Sequence, residues 1–303
     1  MLSDSSSNVV ETATKDSSSA HLDAAEDLML RMLLRTDAAD LNALVRYHFA
    51  SGGSRVRARL ALSAADALGL APETCVALAA SCELVHNASL LHDDIQDADK
   101  MRRGQEAAWY RFNPNLAMCA GTLMLSAASA VLAKVTTETA ELVEHLYQRT
   151  QDLTVGQTLD LAWQREDFDV HTYQQTAAGK SGSLLALPYE LALIAAGHSS
   201  ALPTAKAAGE SFALAYQIAD DLQDLDADSA QSHCNIVPAL MRSGLDQEAA
   251  IHAALEMARQ NRAEAIAQAQ KLPSGSGQYM VQLCHTLASS ESEIVPEQGN
   301  KQA

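Results

Sequence analysis

Apolar residues recur at helical spacing almost without a break from about residue 22 to residue 290, in an Ala- and Leu-rich pattern. Runs of β-branched or aromatic residues are few, so the pattern predicts an all-α protein. Most prolines fall between segments, at Pro72, Pro114, Pro203 and Pro273, where they mark helix starts and stops. No linker-like stretch interrupts the middle, so one domain is expected over residues 22–288. Residues 1–21, rich in Ser, Thr and Asp, read as a disordered tail, and residues 289–303 as a flexible C-terminal tail. The N-terminal stretch lacks the charge pattern of a signal or transit peptide. No apolar run approaches the ~20 residues of a membrane span.

Two segments end in the same acidic design: Asp93-Asp94-Ile95-Gln96-Asp97 and Asp220-Asp221-Leu222-Gln223-Asp224. Residues four apart share a helix face, so Asp93 stacks over Asp97 and Asp220 over Asp224. Like carboxylates at that spacing repel unless a cation sits between them. Ligands that are all oxygen favour a hard ion, Mg2+ before Zn2+ or copper. Mg2+ prefers one or two carboxylates together with water and substrate phosphate. Two facing clusters therefore predict a site for a diphosphate, whereas a solvated helix end is the bland reading of either cluster alone. A calcium loop beginning at Asp224 fails, because Ser229 and Asn235 stand where Gly and Glu are needed.

A net charge of −17 argues against nucleic acid and an anionic membrane surface as partners, and it would also repel a diphosphate. The 21 basic residues then carry more weight. Arg55-Val56-Arg57-Ala58-Arg59 follows Ser51-Gly52-Gly53-Ser54 and precedes the helical segment Leu60–Leu70, a pattern that suits an anion or simply a solubilising turn. Arg102 and Arg103 come directly after the first aspartates, at the expected helix end, each able to take a phosphate. Gly179-Lys180-Ser181-Gly182 reads as the glycine-bounded start of the segment Leu184–Ala196. His86, two turns before Asp93, either packs in the core or faces the same cavity. Gln157 and Asp160, and likewise Gln217 before Asp220, are polar groups in apolar helices that need partners. Five scattered cysteines without CxxC pairing suggest buried thiols in a reducing compartment, hence the cytoplasm.

In this order the residues resemble the trans-isoprenyl diphosphate synthases, the polyprenyl synthetase family. The likeness runs from about residue 45 to 240, through Leu84-Val85-His86-Asn87-Ala88-Ser89-Leu90-Leu91-His92-Asp93-Asp94, Arg102-Arg103-Gly104, Gly156-Gln157 with Asp160, Tyr173 before Lys180-Ser181, and Tyr216-Gln217-Ile218-Ala219-Asp220-Asp221. The resemblance implies a bundle of long, mostly antiparallel helices around a central cavity, paired as a homodimer. It implies three Mg2+ ions, with Asp93, Asp97, Asp220 and Asp224 as metal ligands and Asp94 and Asp221 near metal-bound water. Arg102, Lys180, Ser181 and Gln217 would hold the allylic diphosphate; Arg57, His86 and Arg103 would hold isopentenyl diphosphate, with Arg55 beside them. Gln157 and Asp160 would line the substrate site. Ala88 and Ser89, with Val85 and Leu84 below, would floor the cavity; these small residues imply a product of C20 or longer.

The chain departs from the family pattern in places. Ser54 stands where a lysine is expected, which removes a charge-assisted contact of about 1.5–3 kcal/mol. Residues 225–238 contain neither glycine nor lysine, and Gly121-Thr122 replaces Gly-Asp. Two other activities therefore stand beside elongation: a class I terpene synthase-like ionisation without isopentenyl addition, and a non-catalytic subunit regulating a partner synthase.

Overall fold

The computed structural model describes residues 17–163, 169–223 and 235–294. Thirteen α-helices lie among the described residues: α1 (Ser17–Leu33), α2 (Ala39–Ala50), α3 (Val56–Ala67), α4 (Pro72–Gln96), α5 (Ala108–Arg111), α6 (Pro114–Leu132), α7 (Thr139–Trp163), α8 (Val170–Ala177), α9 (Ser183–Ala195), α10 (Leu202–Gln223), α11 (Ile236–Arg242), α12 (Gln247–Ala269) and α13 (Gln278–Ile294). The one sheet among them is a hairpin of two-residue strands, β1 (Met101–Arg102) and β2 (Gln105–Glu106). The all-α expectation holds. Helix reaches further at both ends than the tail boundaries allowed: α1 begins at Ser17, and α13 continues to Ile294. Serine is a favoured helix-start residue, so a Ser-rich stretch need not be unstructured.

Local chemistry accounts for the helix ends. Pro72 and Pro114 sit in the first turns of α4 and α6, where a missing N–H costs nothing. The side chains of Asn113, Asp169, Asn235 and Asp246 each accept a backbone N–H at the start of α6, α8, α11 and α12. Helix α9 ends on Gly197 in the left-handed region (φ 75°), where only glycine is unstrained.

Helix α9 is buried along its whole length and packs on α3, α4, α7 and α10, so it forms the centre of the bundle. Small residues allow close approach: a Cβ on Gly209 of α10 would lie 2.5 Å from the Ala186 nitrogen. A smaller core joins α8, α10, α11 and α12 around Tyr173, Ile218, Leu222 and Ile236. By length and composition alone α4 and α6 could cross a membrane, contrary to the expectation that no apolar run is long enough. An Ala- and Leu-rich core helix passes the same test, and α4 is mostly buried inside the bundle. Helix α6 leaves an exposed flank bearing Met118, Thr122 and Ser126.

Candidate active site

The first aspartate cluster closes α4: Asp97 caps the helix and its N–H bonds the Asp93 carbonyl at 2.9 Å, so the two side chains keep helical spacing. Asp93 and Asp94 are buried. Lys180 is the cation between them and α7. Its Nζ lies 3.0 Å from Asp93 Oδ1 and bonds Asp160. Burial alone would lower the Lys180 pKa, but the carboxylates of Asp93 and Asp160 override it and hold the amine above its ordinary value. Asp97 is less compensated: burial, then the charge of Asp93, pushes its carboxyl up to about 6, against the pull of Lys180.

Lys180 does not open a helix. Residues Ala178–Gly182 form a π-turn between α8 and α9, so one continuous rod runs from residue 170 to residue 195. The glycines serve packing instead. A Cβ on Gly156 of α7 would lie 2.3 Å from the Lys180 nitrogen, and one on Gly179 would lie 2.9 Å from the Gly156 Cα. Backbone lies on backbone here, and this presents Lys180 to Asp160 one turn further along α7. Ser181 shares the π-turn with Lys180, and Gln157 bonds Gln96 at the end of α4 (3.0 Å).

Arg102 and Arg103 sit on the hairpin after α4, not at a helix end. Arg103 and Gly104 both have positive φ (51° and 75°), the pattern of a type I′ turn, and this sends the two side chains apart. Arg102 turns back to Asp94, with Nε–Oδ1 at 2.8 Å. Both were expected beside the metal and the allylic diphosphate, yet here they neutralise each other. Burial still lifts the Asp94 carboxyl to about 6 despite Arg102. Arg103 reaches the Gly52 carbonyl, and its guanidinium fills the space where a Gly53 Cβ would stand, 2.5 Å from Nη1.

Arg57 and His86 meet across α3 and α4, with Nη1···Nε2 at 3.2 Å. A guanidinium only donates, so His86 Nε2 accepts and its neutral ring carries hydrogen on Nδ1. That Nδ1 and Arg57 Nε are buried without hydrogen-bond partners. Two orphaned donors beside Arg103 suit an anion. Burial, then the charges of Arg57, Arg103 and Arg102, lowers the His86 pKa far enough to keep the imidazole neutral. Burial likewise lowers Arg57 to about 10, and Glu83 opposes the shift. Glu83, missed in the sequence, also accepts the Ala58 N–H (3.1 Å), capping α3 from a neighbouring helix and fixing where Arg57 begins. Its spacing to Asn87, which bonds both Glu83 and His48, was the available signal.

The second cluster closes α10. Asp221 is buried and fully used: Tyr173 Oη and the Ile236 N–H donate to Oδ2 at 2.7 and 2.9 Å, and Gln217 Nε2 donates to Oδ1 at 2.9 Å. Burial raises its carboxyl to about 7, while those donors pull the other way. Asp221 thus ties α8, α10 and α11 together, and Gln217 serves it instead of facing a substrate as expected. Asp220 stands half-buried beside it at the helix end. Asp224 lies outside the described residues. Of the expected cavity floor, Leu84, Val85 and Ala88 are buried, and Ser89 is half-buried with its hydroxyl on the His86 carbonyl (2.7 Å).

Among the described residues no three acidic, His or Cys side chains gather closely enough to hold an ion unaided. The donor set nevertheless fits Mg2+, which takes few protein ligands. Every donor is oxygen, Asp97 is short of positive charge, and Asp94 Oδ2 is buried without a hydrogen-bond partner.

Residues 38–237 match the polyprenyl synthetase family profile, a stretch that contains Arg57, His86, Asp93, Lys180 and Asp220. The chain is 34% identical over 173 residues to the (2E,6E)-farnesyl diphosphate synthase of Mycobacterium bovis, covering 56% of this chain and 48% of that one. It is 30% identical over 214 residues to the geranylgeranyl diphosphate synthase of Methanosarcina mazei, covering 69% and 65%. The chain thus spans about half to two-thirds of the length of these relatives. The fold is similar to that of a geranylgeranyl pyrophosphate synthetase from Geoglobus acetivorans, with a TM-score of 0.76 and 24% identity over 88% of this chain and 98% of that one. The family match spans most of the bundle and both aspartate clusters, and the chain belongs to the polyprenyl synthetase family.

Proposed function

We propose that the chain is a Mg2+-dependent trans-prenyltransferase that joins an allylic prenyl diphosphate to isopentenyl diphosphate, giving a prenyl diphosphate of C20 or longer. One observation carries this reading. Carboxylates and Lys180 gather at the end of α4, while Arg57, His86 and Arg103 assemble a separate anion site two turns upstream. Two anion sites of different chemistry suit two diphosphates.

In this reading Asp93, Asp97, Asp220 and Asp224 would hold three Mg2+ ions, whose charge would stabilise the departing diphosphate. Lys180 and Ser181 hold the same diphosphate and keep its leaving oxygen oriented. Arg57, Arg103 and the neutral His86 place the double bond of isopentenyl diphosphate against the allylic carbon. The allylic C–O bond breaks, a C–C bond forms, and the proton lost from the adduct passes to the released diphosphate. The apolar faces of α4 and α10 exclude water from the cation.

Relatives bearing the names farnesyl and geranylgeranyl diphosphate synthase support the substrate class. A second reading, ionisation without isopentenyl addition, draws on Ser54, which is exposed and offers no cation where the family has lysine. Purified protein with Mg2+, labelled isopentenyl diphosphate and dimethylallyl, geranyl or farnesyl diphosphate separates the readings. Longer diphosphates support elongation, hydrocarbons or alcohols support the second reading, and no turnover points to a regulatory subunit.

Two further results are expected. Ala88→Phe inserts a ring below Asp93 and shortens the principal product by at least one C5 unit, read by chromatography of the dephosphorylated products; an unchanged length removes Ala88 from the floor. Mg2+ affinity rises between pH 5 and 7 and then levels, because a raised Asp97 carboxyl must lose its proton before it can bind metal. Calorimetry in buffers of different ionisation enthalpy reads this as proton release at pH 6 that vanishes by pH 8.

We also infer a homodimer in the cytoplasm. Tyr147 and Val155 on α7 are each 60% exposed, and α6 separately leaves Met118 exposed. None of the described cysteines forms a disulfide.

A further inference from the structure

Arg55 and Arg57 are two residues apart and chemically identical, yet the structure uses them oppositely. Arg55 sits in the left-handed region (φ 50°) just before α3, and each of its three guanidinium nitrogens has a partner. Its Nε bonds Glu26 Oε1 of α1 at 2.6 Å, Nη1 bonds the Gly52 carbonyl at 2.8 Å, and Nη2 bonds the Phe49 carbonyl at 3.4 Å. The group also lies 5.8 Å from the centre of the Phe49 ring. Arg57 keeps Nε buried and unpartnered.

The Gly52 carbonyl that Arg55 holds also accepts from Arg103, and Gly53 must stay free of a Cβ for Arg103 to fit. Arg55 thus joins three things: helix α1, the Gly52-Gly53 loop, and through that loop both Arg103 and the start of the helix carrying Arg57. This departs from the expectation that Arg55 touches substrate, because its guanidinium is turned to Glu26 and to the Gly52 and Phe49 carbonyls.

Resting on the elongation reading, we propose that Arg55 is a positioning residue. Paired with Glu26, it fixes the Gly52–Ser54 loop in the shape that presents Arg57 and Arg103 to the acceptor diphosphate. Glu26 makes the N-terminal helix part of the acceptor site without touching the ligand. The site relies on this lock more heavily because Ser54 supplies no lysine of its own.

The test uses Glu26→Gln, the mild variant, beside Arg55→Met and the double variant. Each single change is expected to raise the KM for isopentenyl diphosphate about tenfold, with the allylic KM and kcat changed less than about twofold. The double variant is no worse than Arg55→Met, because both changes break one link. An allylic KM that rises in step, effects that multiply, or unchanged constants would overturn the proposal. Hydrogen exchange on ligand-free protein gives a readout independent of turnover: amides 52–56 exchange at least about fivefold faster in both variants while α9 is unaffected. Equal exchange overturns the lock even in an inactive protein. Wild type that neither binds nor uses isopentenyl diphosphate overturns the elongation reading and the acceptor role together, and the exchange result still decides whether Arg55 holds the loop.

Discussion

Asp93→Ala is expected to lower the elongation rate about a thousandfold or more, equivalent to roughly 4 kcal/mol of transition-state stabilisation. The change acts twice. It deletes a carboxylate from the metal-binding end of α4, and it removes one of the two partners of Lys180, leaving Asp160 to pull the amine toward α7. The fold loses little. Asp93 lies beside Asp94 and over Asp97, so relief of like-charge repulsion offsets part of the lost Lys180 pair, Asp160 still partners the amine, and unfolding free energy should stay within about 2 kcal/mol of wild type. Initial rates at saturating Mg2+, set beside urea denaturation, test the dissociation between rate and stability. Activity within tenfold of wild type would remove Asp93 from the metal site. Asp220→Ala should match it in rate.

The second large effect falls on stability. Glu190→Ala should cost about 3–5 kcal/mol, because it strands a buried arginine. Glu190 is fully buried in the central helix and takes both Nε and Nη2 of Arg149 at 2.6 Å, while His145 bonds the same carboxylate at 2.9 Å. Arg149 continues to Asp152 at 2.7 Å, four residues before Gly156. Urea denaturation of Glu190→Ala should show the loss in midpoint. The pair Glu190→Leu with Arg149→Met should recover most of it, since an apolar replacement leaves no charge unpaired. A loss under 1 kcal/mol in the single variant would show that the arginine finds water or another acceptor.

The fold class was legible because helical periodicity is local and nearly unbroken. The aspartate clusters were legible because fourfold spacing on a helix is local too. What the sequence did not show is pairing over distance. Arg55 and Arg57 look alike until the backbone at 55 turns left-handed and swings one side chain to α1. Asp221 reads as a metal-site residue, but the chain returns at Ile236 and uses the carboxylate to start a helix. Gly179 mimics a helix start because glycine marks both ends and close contacts, and only the neighbouring Gly156 reveals the contact. Glu190, a lone carboxylate in the apolar run Leu184–Ala196, carried a warning of its own, since such a charge must find a partner.

The rod formed by α8, the π-turn and α9 touches both acidic helix ends: Tyr173 bonds Asp221, and seven residues later Lys180 meets Asp93. Seven residues of helix advance ~10 Å. A single stiff segment therefore works as a gauge block, setting how far apart the two acidic walls stand. Deleting one residue between Tyr173 and Lys180 would swing the lysine ~100° around the axis and spoil the spacing, while every acidic side chain remained in place.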